Sequence, residues 1–117
     1  MLLEPERIPA VTLAHLRDPA TTLLVSAASA WEIGTKFRLG KLDEVQAVVH
    51  GYADHLQRLR ARELPITSGH ALTAGTMAWE HRDPFDRIIA AQCMIESTPL
   101  CTADAALTAF PGLRVIW

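Results

Sequence analysis

The sequence has no excess of positive charge. Its 11 lysine and arginine residues stand against 13 aspartate and glutamate residues, so the formal net charge is −2 over 117 residues. A chain that bound nucleic acid by charge alone would be basic, because that affinity comes from cations that neutralise phosphates. The composition therefore argues against a tight, charge-driven nucleic-acid binder. Contact with RNA would require a local patch of side chains or a bridging metal ion.

Cysteines and long apolar runs are also scarce. The two cysteines, Cys93 and Cys101, have apolar neighbours and no CxxC or Cys/His cluster around them, which indicates buried, reduced thiols. Residues 1–7 lack the basic region and apolar run of a signal peptide. No window approaches the roughly 18 apolar residues of a membrane span. We therefore expect a cytoplasmic protein without a membrane partner.

What the chain does have is an alternation of strand and helix signals. Half of its residues are hydrophobic and 21% are charged, which suits one domain with a real core. Short apolar segments predict strands at 23–25, 63–66, 100–103 and 114–117. Apolar spacing and capping residues predict helices at 9–17, from 26 or 29 to 39, at 44–62, 67–79, 83–96 and 104–110. This order predicts an α/β fold with a mainly parallel sheet.

Two acids follow predicted strands at the place where such a fold forms its sites, and a third could join them. Ligands of open parallel sheets bind beyond the carboxyl ends of the strands. Asp104 directly follows one predicted strand, Glu32 shortly follows another, and Asp86 begins an apolar helix. Hard cations such as Mg²⁺ and Mn²⁺ prefer oxygen ligands, and they activate water for phosphodiester hydrolysis. A cluster of these carboxylates would supply such a centre.

Each acid also has an ordinary structural explanation. Ser29 and Glu32 have the spacing of a capping box, in which the carboxylate satisfies a backbone N–H at a helix start. Asp83 precedes a proline and fits a helix N-cap, and Asp104 fits the same role. Asp86 would then lie in a first turn, where a carboxylate suits the helix dipole. Spacing alone favours these explanations, and for Asp83 the cap is the preferred interpretation throughout.

Histidines and tryptophans give weaker signals. His81 is the one histidine with suggestive neighbours, whereas His70 and the remaining three are expected at the surface or partly buried. Trp31, Trp79 and Trp117 are scattered along the chain. That distribution predicts core anchors rather than a platform for base stacking.

Three longer segments narrow the choice. Residues 25–42 read VSAASAWEIGTKFRLGKL, residues 81–92 read HRDPFDRIIAAQ, and residues 100–104 read LCTAD. In this order they resemble segments of the PIN domains of the VapC toxin type, in the subfamily that carries the HRDPFDR motif. The resemblance covers about residues 22–117 and implies a single PIN-like domain over residues 1–117, with a three-layer α/β/α architecture.

The resemblance also implies an activity and partners. PIN domains of this type are endoribonucleases that hydrolyse phosphodiester bonds of single-stranded RNA with bound Mg²⁺ or Mn²⁺. They are the toxin components of toxin–antitoxin systems, so a cognate antitoxin protein is the expected partner, together with a homodimer. We expect the helix at 44–62 and its neighbours to contribute to one of these interfaces.

The matching positions assign site residues. Glu32, Asp86 and Asp104 match the catalytic acids that bind the metal ion, and Asp83 matches a motif position that is either a cap or an auxiliary metal ligand. Three further residues are expected near the site, where a hydroxyl or guanidinium group would orient water or phosphate. They are Thr102, Arg82 and Arg87.

The N-terminus departs from the family pattern. PIN domains begin with a central strand that ends in a catalytic Asp, whereas here Met1-Leu2-Leu3 leads directly to Glu4-Pro5. In one alignment the first strand is missing. In the other, Leu2 and Leu3 form a stunted strand and Glu4 replaces the Asp, with only a short crossover before Leu23. A third alternative is a natural start upstream of Met1.

We favour the alignment without the strand, so the first, central strand is expected to be truncated or missing. Loss of the first Asp would then impair the nuclease, because metal-dependent hydrolysis relies on each carboxylate to hold the ion and align water. The alternative function is a degenerate, non-catalytic PIN module that dimerises or binds an antitoxin.

Overall fold

The computed structural model describes residues 2–3, 18–40, 49–102 and 104–116. The strands are β1 (Leu2–Leu3), β2 (Leu23–Ser26), β3 (Ala61–Leu64), β4 (Leu100–Cys101) and β5 (Val115–Ile116). The helices are α1 (Ala27–Arg38), α2 (Tyr52–Arg58), α3 (Ser68–Thr76), α4 (Pro84–Ile95) and α5 (Ala105–Thr108). The predicted helix at 9–17 and the predicted start of the helix at 44–62 lie outside the described residues.

The strands form one sheet in the order β3-β2-β1-β4-β5, and every described pairing is parallel. The predicted α/β architecture with a parallel sheet is therefore confirmed. Because all strands run the same way, their carboxyl ends lie along a single edge of the sheet. Helices α1 and α5 begin at this edge, each directly or almost directly after a strand.

The first strand is present and central. Leu2 pairs with Leu24 on one side and with Leu100 on the other, and Leu3 pairs with Cys101. The favoured alignment, in which this strand is missing, is therefore wrong. The fold contains the first strand in a truncated form. A strand of two residues is enough to join the two parts of the sheet, because its backbone groups pair with β2 on one side and with β4 on the other. Without it, the facing edges of β2 and β4 would lack hydrogen-bond partners. Glu4 lies outside the described residues.

Helix α2 ends earlier than its apolar pattern predicts. The prediction carried the helix to Arg62, but α2 ends at Arg58, and Arg60 has a positive φ of 53°. A left-handed residue of this kind stops a helix, and here it turns the chain directly into β3. The strand predicted at 63–66 therefore begins at Ala61 and ends at Leu64.

The core lies between the sheet and helix α4. Its buried members are Ala28, Ile89, Cys93, Leu100 and Leu107, which come from both halves of the chain. Cys93 and Cys101 are buried free thiols, as the sequence predicts. Burial raises the pKa of Cys93 to about 12, so its thiol stays protonated and unreactive at neutral pH. No helix in the described part of the chain is long and apolar enough to cross a membrane.

A buried amide joins the strand ends to α4. Gln92 is fully buried, and its Oε1 accepts a hydrogen bond from the Ser26 hydroxyl at the end of β2. Its Nε2 donates to the backbone oxygens of Leu64, at 3.4 Å, and Pro65, at 3.2 Å, at the end of β3. The two strand ends are thus fixed relative to the helix that packs across them.

Replacing this amide by an apolar group should destabilise the fold. Gln92→Leu leaves the Ser26 hydroxyl and two carbonyls without their partner, so we expect a loss of about 1–3 kcal/mol in the free energy of unfolding. Urea unfolding followed by circular dichroism measures this loss. Gln57→Leu is the matched control at an exposed position of α2, where we expect a change within about 0.5 kcal/mol. Equal effects of the two substitutions would contradict the role of Gln92.

Candidate functional site

Four carboxylates converge at the carboxyl edge of the sheet. Glu32 lies on α1 after β2, Asp83 and Asp86 lie at the start of α4, and Asp104 precedes α5 after β4. Burial is the largest cause of the raised pKa of Glu32. Lys36 lowers this pKa, while the negative charges of Asp83, Asp86 and Asp104 raise it further. The predicted acids are therefore within electrostatic reach of one another.

Asp86 is the most enclosed of the four. Only 6% of its surface is exposed, and burial is the main cause of its raised pKa. The charges of Asp83 and Asp104 raise the pKa further, whereas the hydrogen bond from His81 lowers it. His81 Nε2 lies 2.6 Å from Asp86 Oδ2. When Asp86 is ionised it can only accept, and the ring nitrogen is then the donor in this bond.

The capping interpretations of two acids are confirmed. Oδ1 of Asp83 accepts hydrogen bonds from the backbone N–H groups of Phe85, at 2.9 Å, and Asp86, at 3.3 Å. Oδ1 of Asp104 accepts from Ala106 N at 2.8 Å. Each cap uses one oxygen, so the cap itself leaves Oδ2 of each carboxylate uncommitted. Capping and metal binding are therefore compatible at both positions.

The capping interpretation of Glu32 is wrong. The N-cap of α1 is Ser26, whose hydroxyl accepts a hydrogen bond from Ala28 N at 3.0 Å, and Ser29 lies inside the helix. Glu32 therefore belongs to the second turn of α1 and has no capping role. Its carboxylate lies 3.8 Å from the Lys36 ammonium one turn later.

His81 is a candidate ligand that the sequence only hinted at. One ligand atom each from His81, Asp83 and Asp86 lies within 4.8 Å of the others, which is a suitable spacing for one cation. The only signal in the sequence was the position of His81 at the start of the segment that contains both acids. Its contact with Asp86 depends on the path of the intervening loop, which no local pattern encodes.

Arg87 shapes that loop and does not serve the role expected for it. Its Nε donates to Ala74 O at 2.8 Å, and its Nη2 donates to Met77 O at 2.9 Å. Its Nη1 donates to Trp79 O at 2.6 Å and to His81 O at 3.0 Å. Four of the five guanidinium donors are thus used on backbone carbonyls. Arg87 is a structural clamp on the segment before α4, and the expected role in orienting phosphate is corrected.

The other two residues expected near the site differ in burial. Thr102 is buried, and its hydroxyl accepts a hydrogen bond from Asp104 N at 3.1 Å, which helps to fix the turn that carries Asp104. Arg82 is exposed and lines an open surface recess together with His81. Arg82 is therefore open to solvent and directly precedes Asp83 in the chain.

Two aromatic side chains differ from their predictions. Trp31 is 59% exposed and packs edge-on against Phe85, so its predicted role as a core anchor is wrong. Trp79 does pack against the core, and Trp117 lies outside the described residues. His70 is only 1% exposed, which corrects the prediction of a surface or partly buried residue. Its ring links the start of α3 to Glu96, after the end of α4.

The clustered acids should make the metal-free protein less stable at high pH. The raised pKa values of Glu32 and Asp86 mean that the folded state favours their neutral forms. Their stabilising contribution is present below the ordinary carboxyl pKa near 4 and is lost as the pH rises through the folded pKa. We therefore expect Glu32→Gln to raise the Tm in EDTA at pH 8, by roughly 2–4 °C, and to have little effect below pH 4.

The matched control for this prediction is Glu80→Gln, the same change at an exposed position. Its effect on the Tm should be small and should not change with pH. A lower Tm for Glu32→Gln than for the unmodified chain at pH 8 would contradict mutual repulsion among the acids.

Comparison with known proteins places this arrangement in a family. The protein-family model described as PIN domain matches residues 2–113 of this chain. Ribonuclease VapC16 of Mycobacterium tuberculosis is 38% identical over 63 residues, which is 54% of this chain and 43% of that protein. The chain thus matches less than half the length of this relative.

A solved structure gives the same architecture. The structure of VapBC2 from Rickettsia felis bound to a DNA fragment from their promoter matches with a TM-score of 0.69. The match covers 93% of this chain and 86% of that chain at 16% identity, so it bears on the fold alone. These matches confirm the resemblance to VapC-type PIN domains. Because the family model matches nearly the whole chain, the chain belongs to the PIN domain family.

Proposed function

We propose that this chain is a Mg²⁺- or Mn²⁺-dependent endoribonuclease that hydrolyses phosphodiester bonds of single-stranded RNA as the toxin of a toxin–antitoxin pair. The observation that carries the proposal is the convergence of four carboxylates: burial raises the pKa values of Glu32 and Asp86, and the charges of Asp83 and Asp104 raise both further. The similarity to a protein named as a ribonuclease supports the choice of substrate. The buried, reduced thiols suit an enzyme that acts in the cytoplasm.

The residues present fit a hard divalent cation. Carboxylate oxygens are the ligands that Mg²⁺ and Mn²⁺ prefer, and several negative charges held close together without a cation repel one another. Such an ion, when bound, neutralises phosphate charge and lowers the pKa of a coordinated water. We assign Glu32, Asp86 and Asp104 as the residues that hold the ion, with Asp83 as an auxiliary ligand through Oδ2.

The neighbouring residues then have distinct roles. The Thr102 hydroxyl positions Asp104 by accepting a hydrogen bond from the backbone N–H of Asp104. Arg82 is exposed and directly precedes Asp83 in the chain, and its guanidinium can bind a phosphate of the substrate through two parallel hydrogen bonds. Arg87 acts only indirectly, because it holds the segment that brings His81 to Asp86.

We further propose that the activity is weak. The acid that follows β1 is Glu4 rather than the Asp of the family pattern, and its carboxylate is carried one methylene further from the backbone. Hydrolysis depends on alignment of the attacking water, and misplacement by about 1 Å can lower a rate by about 100-fold. A slow enzyme is therefore the expected consequence.

The second candidate is a non-catalytic PIN module that dimerises or binds an antitoxin. The observation in its favour is that the carboxylates of Glu32 and Asp86 already have partners, Lys36 and His81. Exposed apolar side chains at the end of α1, Phe37 and Leu39, offer surface for a homodimer or an antitoxin protein.

Metal binding tests the site directly. Isothermal titration should detect Mn²⁺ binding to the unmodified chain, and Asp104→Asn should weaken it by about 10-fold or more, because a negatively charged ligand is lost. Asp54→Asn makes the same change at an exposed position of α2 and should leave the affinity unaltered. Unchanged Mn²⁺ affinity in Asp104→Asn would exclude this carboxylate as a ligand.

Cleavage assays separate the two candidate functions. With Mn²⁺, the chain should cut a single-stranded RNA oligomer slowly, EDTA should stop the reaction, and Asp86→Asn should reduce it by about 100-fold or more. Glu4→Asp should increase the rate, and Glu4→Gln should not. If neither the unmodified chain nor Glu4→Asp cleaves RNA, the non-catalytic module becomes the better description.

A further inference from the structure

Trp31 is an exposed aromatic side chain in a protein that has few aromatics. Phe, Trp and Tyr make up 6% of the residues, yet 59% of the Trp31 surface is exposed. Its ring contacts Phe85 with a centroid distance of 4.7 Å and an angle of 79° between the planes. Such an edge-to-face contact orients both rings while most of the indole stays in water. A large apolar surface held in place in this way is prepared for a planar ligand.

The aromatic pair borders the acidic centre. Trp31 directly precedes Glu32 on α1, and Phe85 directly precedes Asp86 on α4. The backbone N–H of Phe85 is bound by Asp83 Oδ1 at 2.9 Å, so the position of this residue is coupled to one of the acids. Because Trp31 packs against Phe85, a ligand that stacked on the indole would lie near the first turn of α4, which also carries Asp86.

Charge alone gives this surface little affinity for RNA. The chain carries a net charge of −2, and its acidic cluster adds local repulsion toward phosphates. Stacking of a base on an aromatic ring does not depend on charge, and every base has a face that can stack. Proteins bind single-stranded RNA by splaying out unstacked bases onto aromatic side chains. The exposed indole supplies the attraction that the charges do not.

We infer that Trp31, braced by Phe85, is a base-binding subsite that stacks an unpaired nucleobase of single-stranded RNA next to the phosphodiester held at the acidic centre. This inference rests on the proposed ribonuclease function for the identity of its ligand. It makes Trp31 a positioning residue for the substrate and requires that the substrate be unpaired at that base.

Binding to strands with and without bases tests the subsite. Fluorescence anisotropy of a labelled single-stranded RNA, measured in EDTA so that no cleavage occurs, gives the affinity. Trp31→Ala should weaken it by about 5- to 100-fold, whereas Trp31→Phe should retain most of it. An abasic strand of the same length should bind weakly, and Trp31→Ala should not change its affinity. Leu72→Ala, at a side chain that is 68% exposed on α3, is the control for loss of apolar surface.

Circular dichroism establishes that the variants fold, and Trp31→Leu repeats the loss of the ring with an apolar side chain in its place. Unchanged affinity for the base-containing strand in both Trp31→Ala and Trp31→Leu would overturn the inference. A loss of dimer mass in sedimentation with unchanged strand affinity would overturn it as well, because the indole would then be a contact between copies of the chain. Absence of cleavage in Mn²⁺ by both the unmodified chain and Glu4→Asp, with base binding that still depends on Trp31, would refute the ribonuclease and leave the subsite standing.

Discussion

The hydroxyl of Ser26 makes the contact on which the arrangement of the site depends. It accepts a hydrogen bond from Ala28 N, which starts α1, and it donates to Gln92, which belongs to α4. One buried group thus sets where the helix of Glu32 begins and ties that helix to the one that carries Asp86. Because buried polar groups are costly when unpaired, this geometry has few alternatives. The two acids are placed by hydrogen bonds made several residues away from them.

The acidic cluster is held together by the fold rather than by attraction among its members. Burial and mutual repulsion both raise the pKa of Asp86, and His81 lowers it through a hydrogen bond and through its charge. Residues whose charges work against the folded state are commonly found where a protein binds a ligand of the opposite sign. The remainder of the domain, above all the core around Ile89 and Leu100, supplies the free energy that keeps these groups in place.

The parts of the fold that follow local rules could be predicted from the sequence, and those that depend on distant contacts could not. The caps at Asp83 and Thr67 and the strand at Leu23–Ser26 follow from residue type and neighbours alone. The two-residue strand β1 exists only because partners far along the chain pair with it. Likewise, the left-handed turn at Arg60 has no glycine to signal it.

The same distinction holds at the site. The motif positions predict that Glu32, Asp86 and Asp104 share one site, and the structure brings them within electrostatic reach. The contact of His81 with Asp86 depends on a loop path set by Arg87, a long-range set of hydrogen bonds that no spacing rule reveals.

The position of β1 also determines the order in which parts of the fold can form. Leu2 pairs with a strand near its own end of the chain and with β4 near the other end. Contacts between residues so distant in sequence form late and slowly, because a long loop must close first. Glu32 belongs to the first of these halves, and Asp86 and Asp104 belong to the second. A growing chain on the ribosome therefore lacks the assembled acidic cluster until β4 and Asp104 have emerged.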